Sequence, residues 1–378
     1  MKKLIVGVDA RPLSTRISGV GRYIAEILKH FPDKENFEFH LFSHLPIHDT
    51  HKDILNIHNI KFIRGKGFLS LKGGLFFNIY LPRYLRNNPV DLFWASQQIL
   101  PPFFPGNIPI VMTYYDLVLY LYPATMRKIA QLQQKLFQEY SVKRSDHIVS
   151  ISEETRRDMI GKFKYPISNT SVAYPGIDMN EIQKLLAIPP SEHIANLMKE
   201  EYFLSVSIIE PRKNYPFLLD VYSKYRTMNR RNPRKWVIAG KIGWESKEFI
   251  QKLYSEIDKY KDIIILDNIN DSDLHHLYKN CKIFLFSSLY EGFGIPLLEA
   301  MAHRVNCIAS DIGTFNEISK SRAHTLSLKD PEKWVMKILE IENKAPGYYL
   351  ESGEFEWKLP AVHMQNIFQL IYERRNKK

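Results

Sequence analysis

Short, uniformly apolar runs alternate with stretches whose apolar residues recur every three or four positions, from one end of the 378-residue chain to the other. KLIVGVD (3–9) reads as a strand, and VGRYIAEILKHF (20–31) sets Tyr23, Ile24, Ile27, Leu28 and Phe31 on one helical face. FEFHLFS (37–43), VDLFWAS (90–96), IPIVMTYYD (108–116) and DHIVSIS (146–152) read as further strands, with a long helical stretch over about 124–144 between the last two. After SVAYPGID (171–178) the pattern restarts with YFLSVSII (202–209), KWVIAGK (235–241), DIIILDN (262–268), CKIFLFSS (281–288) and NCIASD (306–311). Strands that are apolar on both faces and separated by helices belong to parallel sheets covered on both sides, joined by right-handed crossovers. The pattern predicts two successive doubly wound α/β domains. Proline and glycine clusters in YPGID and AIPPSEH put the join near 175–200. A last helix, over roughly 360–375, follows a break at KAPGYYLESGEFEW and is expected to cover the end of one of the two domains.

Length agrees with this division, since 378 residues exceed one ordinary core. No apolar run approaches the roughly 18–20 residues of a membrane span. The N-terminal apolar run meets Asp9 and Arg11 within a few residues, which suits a first strand and not a signal peptide. The two cysteines, Cys281 and Cys307, form neither a disulfide framework nor a zinc spacing, as expected of a protein kept in a reducing cytoplasm.

The net charge of +11 is unevenly placed: residues 1–175 hold 23 Lys and Arg against 14 Asp and Glu, whereas residues 176–378 hold 29 against 27. An anionic partner for the first half follows, whether membrane lipid, nucleic acid or a phosphorylated substrate. The basic residues concentrate in 61–88, where six stand without one acid, interleaved with Phe68, Leu69, Leu71, Leu75, Phe76, Phe77 and Tyr80. Cations beside exposed aromatics suit an anionic bilayer surface; the alternative is that those apolar groups are core and the charges merely solvated.

In open parallel sheets, ligands sit beyond the carboxyl ends of the strands. The stretch SSLYEGFGIPLLEAMA, Ser287 to Ala302, follows one of them. Gly292 and Gly294 allow close backbone approach, and Pro296 suits the first turn of a helix. That helix start, with its free N–H groups and partial positive charge, can seat a diphosphate. Glu299, on the same helix, can accept two hydroxyl protons from the vicinal diol of a ribose; alone it would be read as a complement to the helix dipole. After the strand 202–209, EPRKN places Arg212 and Lys213 where they could bind a diphosphate and stabilise a leaving anion.

YEGFGIPLLEAMA resembles the Glu-x7-Glu motif of the family-four retaining glycosyltransferases, with Glu291 and Glu299 as its two acids. The resemblance extends in order along most of the chain, through GVDARPLSTRISGVGRYIAEIL, SDHIVSISEETRRDM, IIEPRKNYPFLLDVY, WVIAGKIGW, DSDLHHLYKNCKIFLFSSLYEGFG and ASDIGTFNEI. It implies the GT-B fold, two doubly wound Rossmann-like domains facing across a cleft and closing on the donor. An N-terminal acceptor-binding domain is then expected over 1–178, the C-terminal helix 358–378 returning to it, and a donor-binding domain over 179–357. The family pattern implies Glu291, Lys213, Arg212 and Asp116 as the catalytic set, with Glu291 near the donor sugar hydroxyls. It implies donor contacts from Glu299, Gly292, Phe293, Gly294, Ile295, Gly240 and Lys241, and from Gly19 and Gly21 in the first domain. No metal or cofactor is expected, since cations and a helix end stabilise the leaving group. Retention implies front-face attack in which the departing phosphate takes the acceptor's proton.

Three departures qualify the resemblance. The family often has an arginine six residues before the lysine matched by Lys213; this chain has Ser207 there, and Arg212 is expected to compensate. Where the family often has His-Asp, Tyr115 precedes Asp116, and a tyrosine with an ordinary pKa near ~10 is a poor base. HRVNC (303–307) replaces the usual Cys-Gly-x-Pro, a change expected to alter packing behind the helix. DSD at 271–273 imitates a metal-binding Asp-x-Asp but precedes a helical run and reads as a helix start.

The sequence thus predicts a cytoplasmic glycosyltransferase, placed at the inner membrane face where the 61–88 segment meets lipid. It would move a sugar, mannose from GDP-mannose as first choice, to a glycan or lipid-linked glycan in surface polysaccharide assembly. The rivals are weaker. An NAD-dependent oxidoreductase would need a fuller glycine fingerprint after the first strand and an acid at the end of the second, which FEFHLFSHLP lacks. A nucleic-acid-binding protein would use the basic first half, but no recognised module of that kind is present. An inactive scaffold with the same fold is the remaining alternative, kept open by Tyr115 and Ser207.

Overall fold

The computed structural model describes residues 3–16, 18–122, 137–230, 233–345, 347, 350, 351 and 353–376. The helix expected over about 124–144 lies largely outside the described residues; 137–144 is helical. The chain forms two compact units, Met1–Gly176 with Phe355–Lys378, and Ile177–Glu354.

The first unit is built on seven parallel strands: β1 (Leu4–Asp9), β2 (Phe37–Ser43), β3 (Ile60–Arg64), β4 (Leu92–Ala95), β5 (Ile110–Tyr114), β6 (His147–Ser150) and β7 (Thr170–Val172). They lie in the order β3-β2-β1-β4-β5-β6-β7. Strands β4, β5 and β6 are buried along their whole length, as uniformly apolar runs require. Within this core the indole N–H of Trp94 donates to Thr113 Oγ1 at 2.9 Å, tying β4 to β5. The helix Gly19–Lys29 begins at Ser18, whose side chain accepts from the Gly21 N–H, and it buries Tyr23, Ile24, Ile27 and Leu28.

The last helix, Lys358–Asn376, belongs to this first unit. Phe368 stacks on Phe31 with ring centres 6.2 Å apart and lies 5.8 Å from Trp94, and the Gln365 side chain accepts from the Asp33 N–H. An aromatic stripe thereby closes the face that the 19–29 helix leaves open.

The basic segment 61–88 divides in a way its pattern does not disclose. Phe76 and Phe77 are core residues, so they leave the set of expected surface aromatics. Phe68 and Leu71 stand 74% and 70% exposed, and Ile79, not singled out from sequence, joins them. The stacked ladder Phe76–Tyr80–Tyr84 runs from the core outward. With Lys66, Phe68 and Arg83, its two tyrosines help line a cavity of about 350 Å³.

The second unit has six parallel strands: β8 (Tyr202–Val206), β9 (Lys235–Ala239), β10 (Ile263–Leu266), β11 (Ile283–Phe286), β12 (Asn306–Ser310) and β13 (His324–Leu326). Their order is β10-β9-β8-β11-β12-β13. Its core gathers Phe203, Tyr215, Tyr222, Tyr225, Trp236 and Trp334 with the aliphatic residues of the strands. Trp236 donates its indole N–H to Ser205 Oγ at 3.0 Å, and that hydroxyl donates on to the Leu285 carbonyl at 2.9 Å, linking β9, β8 and β11. Among the described residues no helix is long and apolar enough to cross a membrane.

In each sheet the strand order reverses once, between β1 and β4 and between β8 and β11. Loops leaving the two central strands diverge at such a point and open a crevice for a ligand.

Ser205→Ala leaves the buried Trp236 N–H without its acceptor, a loss of about 1–3 kcal/mol. Urea unfolding followed by tryptophan fluorescence is expected to show a lower midpoint at unchanged slope; an unchanged midpoint would show that the relay stabilises nothing.

Candidate functional site

Arg212 and Lys213 lie on the loop after β8, and Glu291 to Gly294 on the loop after β11, so the reversal point of the second sheet brings together segments almost 80 residues apart. Backbone ties hold them in place. The Ser287 hydroxyl donates to the carbonyls of Lys213 and Asn214 at 2.8 and 3.1 Å, and the Leu289 N–H donates to the Arg212 carbonyl at 2.8 Å. Asn214 turns the first loop in the left-handed region, φ 54°, a conformation asparagine tolerates better than most residues.

Glu291 is the centre of the cluster. Lys213 Nζ donates to its Oε1, Arg212 donates to its Oε2, and the Ser288 hydroxyl donates to Oε1 at 2.7 Å. The Glu291 carbonyl accepts from Thr314 Oγ1 at 2.8 Å. Arg212 also donates to the Tyr290 carbonyl at 3.1 Å and to Glu210 Oε1 at 2.9 Å. Two acids and two cations thus form one network of little solvent exposure. Burial alone would raise the Glu291 pKa, but the Arg212 guanidinium and the Lys213 ammonium outweigh it and hold the carboxyl at about 2. Burial lowers the Lys213 pKa below the ordinary lysine value, opposed by Glu291.

Gly294 has φ 101°, and a Cβ there would lie 2.6 Å from the Phe315 ring, so the turn into the helix Ile295–Ala302 requires glycine. Pro296 occupies its first turn. Gly292 and Phe293 are buried and Ile295 is partly so. Glu299, buried on this helix, accepts from the Tyr278 hydroxyl at 3.0 Å. At Gly240 a Cβ would fall 1.9 Å from the Ser207 carbonyl, so its bareness lets the turn after β9 pack on the loop after β8. The Lys241 carbonyl pairs with the Ile209 N–H at 2.9 Å while its side chain is exposed.

Ser207, standing where the family often has arginine, exchanges a 2.9 Å hydrogen bond with the Tyr215 hydroxyl, and Arg212 supplies the second cation beside Lys213. DSD at 271–273 opens a helix capped by Asn270; Asp273 accepts from the Ser191 N–H at 2.8 Å and from the Asn270 amide. Among the described residues no three His, Cys, Asp or Glu side chains converge as a metal site would require.

In the first unit, Asp9 ends β1, is buried, and receives Arg11, whose guanidinium lies 3.4 Å from the Phe77 ring centre. Gln97 donates to Asp9 at 3.0 Å. Gly19 and Gly21 form the start of the 19–29 helix, while Ile17 of the same loop lies outside the described residues. After β5, the Gln98 side-chain oxygen accepts from the N–H groups of Tyr115 and Asp116 at 2.7 and 2.8 Å, fixing that turn. Asp116 accepts from the Val118 N–H at 3.1 Å. The Tyr115 hydroxyl is buried without a hydrogen-bond partner among the described residues. Burial, then Tyr23 and Asp9, push its pKa well above the ordinary tyrosine value, so it cannot act as a base near neutral pH.

Sequence reasoning passed over Glu210, Ser288, Thr314, Tyr278 and Gln98. Glu210 had a local signal, a carboxylate two residues before Arg212. Tyr278 and Gln98 reach their partners only through the fold.

Two family profiles match the chain, Glycosyltransferase Family 4 over residues 17–181 and Glycosyl transferases group 1 over residues 191–348. The O-antigen chain mannosyltransferase B of Escherichia coli is 23% identical over 95% of this chain and 98% of its own. The O-antigen chain mannosyltransferase RfbU of Salmonella typhimurium is 25% identical over 66% of this chain and 69% of its own. Among solved structures, HepE of Anabaena, in complex with UDP and glucose, shares the fold with a TM-score of 0.66 at 16% identity, over 97% of this chain and 99% of that one.

Glu291→Gln removes the charge that neutralises Arg212 and Lys213 and is expected to destabilise the protein by about 3–5 kcal/mol near pH 7. Because the folded-state pKa is lowered from 4.5 to about 2, this stability is present above pH 4.5 and lost as pH falls toward 2. Urea titrations of wild type and variant should therefore converge below about pH 4.5; a gap that stays constant with pH would show that the charge of Glu291 is not its source.

Proposed function

We propose, for a chain that belongs to glycosyltransferase family four, a metal-independent transfer of mannose, with retention, from a nucleoside diphosphate donor to a glycan acceptor. It is a glycosyltransferase of polysaccharide biosynthesis. The observation that carries the finer reading is the convergence of Glu291, Arg212, Lys213 and the start of the 295–302 helix at the reversal point of the second sheet. Mannose is favoured by the mannosyltransferases among the relatives, and GDP is the carrier this reading takes first.

Glu299 takes the ribose hydroxyls. The backbone of Gly292, Phe293 and Gly294, with Arg212 and Lys213, holds the diphosphate, and Glu291 lies by the sugar hydroxyls while keeping both cations in place. As the bond from the anomeric carbon to the diphosphate oxygen breaks, the two cations stabilise the charge gathering on the leaving group. The acceptor oxygen bonds to that carbon on the same face, and its proton passes to the departing phosphate oxygen. Asp116, fixed through Gln98, orients the acceptor hydroxyl.

The acceptor is lipid-linked in this reading, and the enzyme works at the cytoplasmic face of a membrane. The 61–88 surface, with exposed Phe68 and Leu71 among the cations of the segment, Lys61 of which pairs with Glu38, meets the anionic bilayer.

A thermal-shift panel in EDTA with GDP, UDP, ADP, dTDP and NAD tests the donor site. One nucleoside diphosphate is expected to raise the unfolding temperature of wild type and to lose that effect in Glu299→Ala. Stabilisation by NAD alone, or by no diphosphate, would refute the reading. Sedimentation with phosphatidylglycerol vesicles tests the surface. Lys66→Glu with Arg83→Glu should lower the vesicle partition constant at low salt by at least about thirtyfold, given about 1 kcal/mol per basic residue. Equal binding by the two proteins would remove 61–88 from the membrane contact.

A further inference from the structure

Behind Glu299 lies a small ring of side chains that neither the family pattern nor the proposed chemistry uses. Tyr278, on the helix Asp271–Asn280, is fully buried and donates its hydroxyl to Glu299 Oε2 at 3.0 Å. Its ring lies parallel to that of His303, with centres 5.6 Å apart and planes inclined by 8°. His303 in turn shares a 2.9 Å hydrogen bond with His275 Nδ1 through its Nε2, and the rings of His275 and Tyr278 stand 6.3 Å apart. His303 is the first residue of HRVNC, where the sequence departs from the family's Cys-Gly-x-Pro. That departure was expected to change packing only; the packing it builds ends on the carboxylate of Glu299.

We infer that Tyr278, held in plane by His303, is the positioning residue that sets the rotation of the Glu299 carboxylate for a ribose diol. The inference rests on the assignment of Glu299 to the ribose. A glutamate carboxylate rotates broadly about its last torsion, and a bidentate contact with two vicinal hydroxyls demands one setting of it. The Tyr278 hydroxyl bond fixes that setting before any ligand arrives, so less freedom is lost on binding. Its strength is that of a hydrogen bond to an ionised acceptor in a buried place. Burial, then the neighbouring His275, Lys279 and His276, hold the His303 pKa at about 3, so the ring that supports Tyr278 is neutral at physiological pH. A neutral ring can stack closely on the phenol without bringing a charge into competition for the Glu299 carboxylate.

A purely structural Tyr278 would affect every ligand of the donor site alike; a positioning one must affect only ligands that carry the diol. The test is isothermal titration of GDP and UDP, and of their 2′,3′-dideoxy forms, into wild type, Tyr278→Phe and Glu299→Ala. Tyr278→Phe keeps the ring and its stacking and removes only the hydroxyl. It is expected to weaken the ribose form that binds by roughly three- to tenfold, the loss typical of a hydrogen bond, and to leave the dideoxy form within twofold of wild type. Glu299→Ala should show the same selectivity more strongly. Should Tyr278→Phe not fold, His303→Leu, which removes the stacked ring, is expected to give a smaller loss confined to the ribose form. Equal losses for both forms, or none, beside a ribose-selective loss in Glu299→Ala, would overturn the role of Tyr278 while the ribose assignment stands. No selectivity in Glu299→Ala, or no binding of either diphosphate to wild type, would overturn both.

Discussion

The constraint on which the second unit depends is the cost of burying charge. Arg212 and Lys213 must be shielded from water if they are to act strongly on a phosphate, yet shielding an unpaired cation is costly. Glu291 resolves this by accepting from both, and Glu210 holds the far side of the guanidinium. The balance of two acids and two cations allows the loops after β8 and β11 to sit close together in a largely dry place. Much else follows from that closeness. Ser287 and Leu289 lace the loops through the backbone, Gly240 gives way so that Ser207 can be packed over, and Gly294 turns the chain so that a helix start faces the same ground.

Geometry and electrostatics are therefore coupled through one carboxylate. Glu291 is held ionised by its partners, so it is a permanent acceptor and not a proton carrier. In the first unit the opposite holds for Tyr115, kept neutral by burial beside Tyr23. Neither residue changes its protonation state near neutral pH. The two acids of the 291–299 motif are also supported differently. Glu291 is fixed by charge, whereas Glu299 is braced by a phenol and a neutral imidazole.

What could be read from the sequence was mostly short in range. Uniformly apolar runs gave away the two parallel sheets, and Glu291 through Glu299 were visible because a loop and the helix that follows it are contiguous. The pairing of Arg212 with Glu291 was not visible, for it depends on β8 and β11 being neighbours across a reversal in strand order. Tyr278 carried no signal at all, since it reaches Glu299 from a separate helix. In 61–88 the composition was legible and the facing was not. Gly67, Gly73 and Gly74 break the period there, and a turn of π-helix at Phe76–Tyr80 shifts the register, so spacing could not tell buried Phe76 from exposed Phe68. The last helix was recognisable as a helix, but nothing in its pattern said which sheet it would join.

That helix gives the chain an uneven timetable during synthesis. The second unit is one continuous stretch, whereas the first is completed only by residues made about 180 positions after its seventh strand. At about 5–20 residues per second, the ribosome takes roughly 10–40 s to deliver Phe368 to the stripe of Phe31 and Trp94. During that interval the first sheet exists with one aromatic face unroofed, while the later unit can finish on its own. Nascent chains paused within the second unit would present this face to chaperones, and a premature stop before residue 358 would leave the first unit with a permanent sticky seam, however intact the second unit.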